Sequence, residues 1–317
     1  MNLINENLHE RIIAKKIELD EHRPLPTEIV RKLRERMEIE YTYNSNAIEG
    51  NTLTHRETQL VIREGITIGG KSLRDHLEAK NHPRAIEYIE TLKDRAPKES
   101  DILRVHEIIF LGILDNTGSY RNSQVFIEGS DYTPPLALEV PNLMSDLIKW
   151  LKTNPNELRL IEIAAIFHYK LAAIHPFDDG NGRIARLLMN LLLIKHRYPF
   201  TIIRTYDRRR YYDTLKKADN GNLKPFVNFI ARCVEESLDL YLSAIAPANG
   251  RRHFMKLAEA ARDTPYSQEY LSLLARRGKI AAIKIGKDWH VTLEAIENYL
   301  SYVKSRKTKL RKTRTSY

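Results

Sequence analysis

A single cysteine, Cys233, stands in 317 residues. That excludes a disulfide framework and a cysteine-built zinc site, and a reducing compartment suits such a chain. No apolar run approaches the roughly 18–20 residues that span a bilayer, so no membrane partner is expected. The first residues, MNLINENLHERII, lack the basic-then-apolar order of a signal peptide, and a cytoplasmic protein is the expectation. There is no internal repeat of useful period. Net charge is also missing from most of the chain: the first 250 residues hold 35 Lys and Arg against 35 Asp and Glu. The formal excess of +10 lies entirely beyond Gly250. Residues 251–300 hold nine basic against six acidic groups, and 301–317 hold seven basic groups and no acid. Such an asymmetry argues for two modules with different partners.

What is present suffices for a packed core. Hydrophobic residues make up 42% and charged residues 29%, with a mean hydropathy of −0.45. The length suggests about two domains. Most of the first 250 residues read as helix, so the expected fold class is mainly α. Segment 27–41 opens on a Thr27 cap and carries Ile29, Val30, Leu33 and Met37 at helical spacing. Segments near 73–94, 99–113, 138–152 and 156–174 repeat the pattern. Pro24, Pro26, Pro83, Pro97, Pro141 and Pro155 are placed near helix starts, where a missing N–H does least harm. Between the third and fourth of these segments, Gln124-Val125-Phe126-Ile127 is β-prone and bounded by Gly and Pro, which predicts a short hairpin or flap. A helix over 183–196 is apolar nearly all round, the mark of a central buried helix. Two more helices follow near 207–219 and 223–245.

The most informative stretch is His175-Pro176-Phe177-Asp178-Asp179-Gly180-Asn181-Gly182-Arg183-Ile184-Ala185-Arg186. A helix must end before Pro176, because the residue ahead of proline is pushed out of the α region. Another restarts at about Gly182. The glycines let backbone N–H groups converge on one point at a helix N-terminus, where the macrodipole favours an anion. Arg183 and Arg186 stand three apart and can grip one polyphosphate. Asp179 places a carboxylate beside it, which suits Mg²⁺ shared with phosphate oxygens. His175 can take a proton near neutral pH. A lone Gly-Asn-Gly would be an ordinary turn. The full string describes a phosphoryl- or nucleotidyl-transfer site.

The string resembles the signature of the Fic-domain family, His-Pro-Phe-x-Asp/Glu-Gly-Asn-Gly-Arg-x-x-Arg, at every fixed position. The resemblance implies an all-α core around a central helical hairpin. It also implies transfer of AMP from ATP to a Ser, Thr or Tyr hydroxyl of a target protein. On that basis His175 deprotonates the hydroxyl and Asp179 holds Mg²⁺ on the α- and β-phosphates. Gly180, Asn181 and Gly182 cradle phosphates, Arg183 serves the departing pyrophosphate and Arg186 the γ-phosphate. The phosphotransferase branch that resembles Doc toxins usually carries Lys in the place of Gly182, so Gly182 favours nucleotide transfer.

Ser45-Asn46-Ala47-Ile48-Glu49-Gly50-Asn51 resembles the inhibitory motif of the autoinhibited Fic proteins that carry it on an N-terminal helix. Glu49 could pair bidentately with Arg186 and withhold it from the γ-phosphate, or simply end a helix before Gly50. In some relatives the same glutamate supports removal of AMP. Gly118–Arg121 with Val125, Phe126, Ile127 and Glu128 resembles the family's flap, to which a target segment adds as a strand. Tyr212 and Asp219 lie in a stretch that resembles the adenine-side wall. A buried Tyr212 packing helices is an equal alternative, and many relatives place Asn where Asp219 stands. His168 is expected to be a hydrogen-bonded core histidine.

A break falls at Ala246-Pro247-Ala248-Asn249-Gly250. Beyond a short amphipathic helix, the order helix, turn, two strands joined at Gly286-Lys287-Asp288, and helix resembles excisionase- or MerR-like winged helix-turn-helix domains. Ser267 is its expected first N-cap. Arg276, Arg277, Lys279, Lys284 and Lys287 could contact DNA phosphates, or the module could dock protein. The division expected is an N-terminal helical region with an inhibitory helix (1–95), a Fic core (96–245), a winged helix (251–303) and a basic tail (304–317). A homodimer is expected from the class. The leading function is an autoinhibited adenylyltransferase using Mg-ATP. Its rivals are a DNA-binding regulator with a nucleotide-sensing core, and transfer of another phosphate-linked group.

Overall fold

The computed structural model describes residues 2–127, 132–154, 156–245, 254–262, 264–276, 280, 282–285, 288–300 and 303. Glu128, Pro155, the 246–250 break, Arg277, Gly278, Lys279, Gly286, Lys287 and the 304–317 tail lie outside them. The described part of the first 245 residues is helical: α1 Glu6–Glu21, α2 Thr27–Ile48, α3 His55–Glu64, α4 Leu73–Thr91, α5 Glu99–Phe110, α6 Val140–Thr153, α7 Leu160–Ile174, α8 Asn181–Lys195, α9 Arg208–Asp219 and α10 Lys224–Ile245.

Local chemistry sets several of these boundaries. Asn5 caps α1 through Leu8 N–H, and Thr54 with Glu57 forms a reciprocal capping box on α3. Ser72 Oγ accepts from Asp75 N–H at the start of α4. Neither α1 nor α3 was expected as a separate element. Two expectations need correction. Thr27 caps nothing; it is the first helical residue, behind Pro26, which makes no side-chain cap bond. Pro83 is not near a helix start but inside α4. Its missing N–H forfeits one ladder bond, and burial of Ala79, Ala85 and Ile89 on the same helix carries α4 through it.

Helices α7 and α8 pack as a central antiparallel pair. Nearly every side chain of α8 from Asn181 to Leu193 is buried, as its all-round apolarity predicts. Seven of those are large and apolar: Ile184, Leu187, Leu188, Met189, Leu191, Leu192 and Leu193. At about 1.5–3 kcal/mol each, they offset the cost of holding Arg183 and Arg186 inside, which each require a counter-charge. One continuous core joins α1, α2 and α4 to α10.

Three histidines of this core are held neutral. Burial pushes His168 down to about 3 and His106 to about 4, and it holds His82 well below the ordinary value of 6.5. The unfolded chain binds these protons near 6.5 and the folded chain does not. Their contribution is therefore intact above that pH and lost below it, at about 1.4 kcal/mol per pH unit for each histidine. Burial also raises Glu236 to about 8 and Asp239 to about 6. These carboxyls take up protons in the folded chain over the same range and oppose the loss. The histidine contribution is therefore read by difference. His168→Asn should lessen the fall of the urea midpoint between pH 6.5 and 5.5; a pH dependence unchanged by the substitution would contradict the assignment.

The flap expectation is corrected in part. Gln124–Ile127 forms no strand among the described residues. Gln124 Nε2 donates to Pro134 O at 3.1 Å and Arg121 Nη2 to Pro135 O at 2.6 Å. Pro134 and Pro135 have no N–H to return, so side chains rather than a backbone ladder hold the two arms.

Beyond residue 253 a second hydrophobic cluster gathers Leu257, Leu271, Leu274, Val291 and Ile296. Strands β1 Met255–Lys256, β2 Ala282–Ile285 and β3 Asp288–Val291 form an antiparallel sheet in the order β1-β3-β2. The register pairs Met255 with Val291 and Ile283 with His290. Helices α11 Leu257–Ala260, α12 Gln268–Arg276 and one over residues 293–300 complete it. Ser267 Oγ accepts from Tyr270 N–H, the expected cap. No helix among the described residues is long and apolar enough to cross a membrane.

Candidate active site

The loop between α7 and α8 is a short, fixed bend. His175 is the C-cap of α7 with φ +53°, and Pro176 prevents the helix from continuing. Gly180, at φ +84°, is the N-cap of α8. The first α8 bond runs from Ile184 N–H to Gly180 O at 3.0 Å, which leaves the N–H groups of residues 181–183 outside the ladder. Inside the bend, Asn181 Oδ1 accepts from Phe177 N–H at 2.9 Å and its Nδ2 donates to Phe177 O at 2.8 Å. The Asn181 side chain is thus spent on closing the loop, and only its backbone remains for a phosphate. Phe177 is fully buried and stacks on His106, with ring centroids 4.0 Å apart and planes 6° from parallel. A Cβ on Gly180 would lie 2.1 Å from the Phe110 ring.

His175 is steered from the flap side. The buried Arg121 donates from Nε to His175 O at 2.8 Å, and Arg121 N–H donates to Pro176 O at 2.9 Å. His175 Nδ1 lies 3.3 Å from Ala172 O; a proton held there leaves Nε2 with its lone pair. Burial lowers the His175 pKa below 6.5, assisted by Arg121 and opposed by the Ala172 contact, Glu49 and Asp179. The imidazole is therefore neutral at pH 7, the form a base needs.

The two arginines of the loop are both 1% exposed but diverge toward different elements. Arg186 turns to α2. Its Nε donates to Ser45 Oγ at 3.0 Å and its Nη2 to Ser45 O at 2.8 Å. Its Nη1 pairs with Glu49 Oε1 at 2.7 Å. Glu49 is also the C-cap of α2, followed by Gly50 at φ +98°. Its carboxylate lies over the first turn of α8: a Cβ on Gly182 would sit 2.4 Å from Glu49 Oε1. An internal carboxylate thus fills the place where helix geometry favours an anion. Arg183 turns to α4 instead. Its Nη1 contacts Glu78 Oε1 at 2.7 Å, its Nη2 donates to Asp179 Oδ1 at 3.1 Å, and its guanidinium lies 4.7 Å from the Phe110 ring centre.

Asp179 is half-exposed and bonded by Gly180 N–H, Arg183 and Arg74. Among the described residues no group of three or more His, Cys, Asp or Glu could hold a metal. A single carboxylate at the rim of an anion cradle, with Oδ2 held only by the half-exposed Arg74, instead fits an Mg²⁺ shared with substrate phosphates.

The outer residues are less converged. Tyr212 is 37% exposed, stacked under Arg208 at 5.0 Å and within the field of Glu49, which with burial raises its pKa. Asp219 ends α9 beside Tyr169, with burial raising its pKa, and the structure does not bring it to the arginines. Val125 and Ile127 are half-buried while Phe126 between them is 83% exposed. His168 Nε2 meets Tyr211 OH at 3.0 Å, a buried core contact as expected. Sequence reasoning missed Arg74, Glu78 and Phe110 as neighbours of the loop, and gave Arg121 and Tyr211 no role of their own. Only those two, in the Gly-Ser-Tyr-Arg turn and the Arg-Tyr-Tyr-Asp stretch, carried any local signal.

Residues 96–193 match the Fic/DOC family. The chain is 40% identical over 211 residues to the protein adenylyltransferase Fic of Nematostella vectensis, covering 65% of this chain and 49% of that protein. A Fic domain containing signaling protein from Bacteroides thetaiotaomicron, known from its crystal structure, is 32% identical with a TM-score of 0.69. That similarity covers 75% of this chain and 97% of the other. A Fic family protein from Desulfovibrio desulfuricans G20 is 25% identical with a TM-score of 0.66, covering 91% of this chain and 96% of the other. The chain spans about half the length of the curated relative it matches.

Proposed function

The chain belongs to the Fic/DOC family, and from that premise we propose that it is a protein adenylyltransferase held in check by its own Glu49. The observation that carries the reading is the loop itself. A neutral His175, the part-exposed Asp179 and the α8 N-terminus stand on one short bend, and Glu49 lies over Gly182 with its carboxylate on Arg186.

In the reaction, the target hydroxyl oxygen forms a bond to the α-phosphorus of ATP while the bond from that phosphorus to the β-bridging oxygen breaks. AMP stays on the target and pyrophosphate leaves. His175 takes the hydroxyl proton at Nε2. The α8 N–H groups and Arg186 receive phosphate once Glu49 has left them, and Arg183 receives the charge that builds on pyrophosphate. Asp179 would hold Mg²⁺, which supplies charge neutralisation at the phosphates. The 124–127 segment, which forms no strand of its own, offers backbone groups to a target strand, and Tyr212 stands as the adenine-side aromatic. Asp219 keeps its place in the reading only as the rim of that wall.

The same reading takes residues 1–95 as the inhibitory region, 96–245 as the catalytic core and 251–303 as a winged helix. The Ser267 cap and the β2–β3 hairpin support that last assignment. DNA contact through Arg276 and its neighbours, self-association as a dimer and a cytoplasmic setting belong to it too.

The test uses ATP labelled at either the α- or the γ-phosphate. Label from the α position is expected on protein, and none from the γ position. Glu49→Gly removes a charged hydrogen bond of about 1.5–3 kcal/mol, so labelling should rise about ten- to a hundredfold. Transfer of γ-label would make the protein a kinase. An unchanged rate in Glu49→Gly would remove the inhibitory role.

A further inference from the structure

We propose that Arg74 is a positioning residue which closes Asp179 against the divalent cation and so sets the metal concentration at which the nucleotide site fills; this rests on the adenylyltransferase reading. Arg74 stands in the first turn of α4, outside the loop and outside the α2 segment. It pairs through Nη2 with Asp179 Oδ2 and through Nε with Glu78 Oε1 at 3.1 Å. Glu78 contacts Arg183 at 2.7 Å, and Arg183 returns to Asp179 Oδ1 at 3.1 Å. Two cations and two carboxylates therefore alternate in a closed ring, Arg74-Asp179-Arg183-Glu78.

The members of the ring are not equally free to move. Arg183 and Glu78 have side chains only 2% and 7% exposed, so neither can give up its counter-charge without a large desolvation cost. Glu78 is anchored further by Asn51 Nδ2, which donates to Glu78 Oε2 at 2.9 Å and to Asp75 O at 3.1 Å. Arg74 and Asp179 are the solvated half, 49% and 39% exposed. On Asp179, Oδ1 is taken by Gly180 N–H and Arg183, so Oδ2 is the oxygen turned outward, and Arg74 lies on it. Before Asp179 can face a cation, Arg74 must swing away. It can do so cheaply, because Glu78 keeps it on α4 and water receives the rest of its charge.

This makes Arg74 a competitor for the carboxylate rather than a phosphate ligand, and the two roles predict opposite results. Arg74→Gln, made in the Glu49→Gly full-length chain, should lower the Mg²⁺ concentration for half-maximal binding of a fluorescent, non-hydrolysable ATP analogue. Exposed ion pairs are weak, so the shift expected is about two- to fivefold. Without metal, the affinity for the analogue should stay within about twofold, and Arg74→Lys should return the Mg²⁺ midpoint toward its original value. An unmoved or higher midpoint in Arg74→Gln overturns the proposal and leaves the adenylyltransferase reading standing. A loss of metal-free affinity beyond about fivefold also overturns it, because Arg74 would then be holding phosphate. If the Glu49→Gly chain binds no analogue at all, both the reading and the proposal fall.

Discussion

His175→Ala is expected to lower AMP transfer by about 10²–10⁴-fold in the Glu49→Gly chain, the range that separates a positioned general base from none. Neither of the other histidines near the loop can substitute. His106 and His168 are neutral, but His106 lies stacked on Phe177 beneath the loop and His168 is committed to Tyr211 on the far side of Arg186. Nucleotide affinity should survive, because the phosphates face α8 and the arginines rather than the imidazole. The pH dependence supplies an independent readout. Burial lowers the His175 pKa, and the neutral form is the active one, so kcat/KM should rise with pH through a midpoint below 6.5 and be level above it. Glu49→Gly removes a carboxylate that raises this pKa, which moves the midpoint further down. A histidine variant that keeps more than a tenth of the rate, or an acid limb centred above 6.5, would remove His175 from the role of base.

How much of this could be read from the residues depends on how far apart the interacting groups lie in sequence. The 175–186 string was legible because its helix stop, its glycines and its arginines are contiguous, and each constrains the backbone locally. Glu49 and Arg186 stand 137 positions apart; spacing alone could not pair them, and a resemblance did. Arg74 and Glu78 approach the loop from α4 through tertiary packing alone, and a basic and an acidic residue four apart on a helix ordinarily signify a solvated face. The expected flap strand failed for the opposite reason. Val125, Phe126 and Ile127 have the β propensity and even the alternating burial of a strand, but strands exist in pairs, and Pro134 and Pro135 on the return arm cannot donate. Pro83 misled in the same way, a strong local signal overridden by the buried face of α4.

Gly180→Ala should be the most damaging conservative change in the loop. The φ of +84° alone disfavours any Cβ by about 1–2 kcal/mol. The new methyl would also lie 2.1 and 2.6 Å from two atoms of the Phe110 ring, an overpacking worth about 1–3 kcal/mol. Phe110 has little freedom to yield, since Arg183 lies over its ring at 4.7 Å and His106 packs against it at 4.9 Å. Movement of the ring would therefore shift both the arginine that serves the pyrophosphate and the stack that supports Phe177. Displacements of about 1 Å at a reacting centre cost about a hundredfold, so transfer should fall by at least that factor alongside about 2–5 kcal/mol of stability. A double-mutant cycle separates the two causes. Phe110→Ala makes room for the methyl but leaves φ unchanged, so Gly180→Ala should cost about 1–3 kcal/mol less in that background than in the parent. Additive penalties in urea denaturation would mean that the ring is no obstacle and that backbone conformation alone fixes glycine at this position.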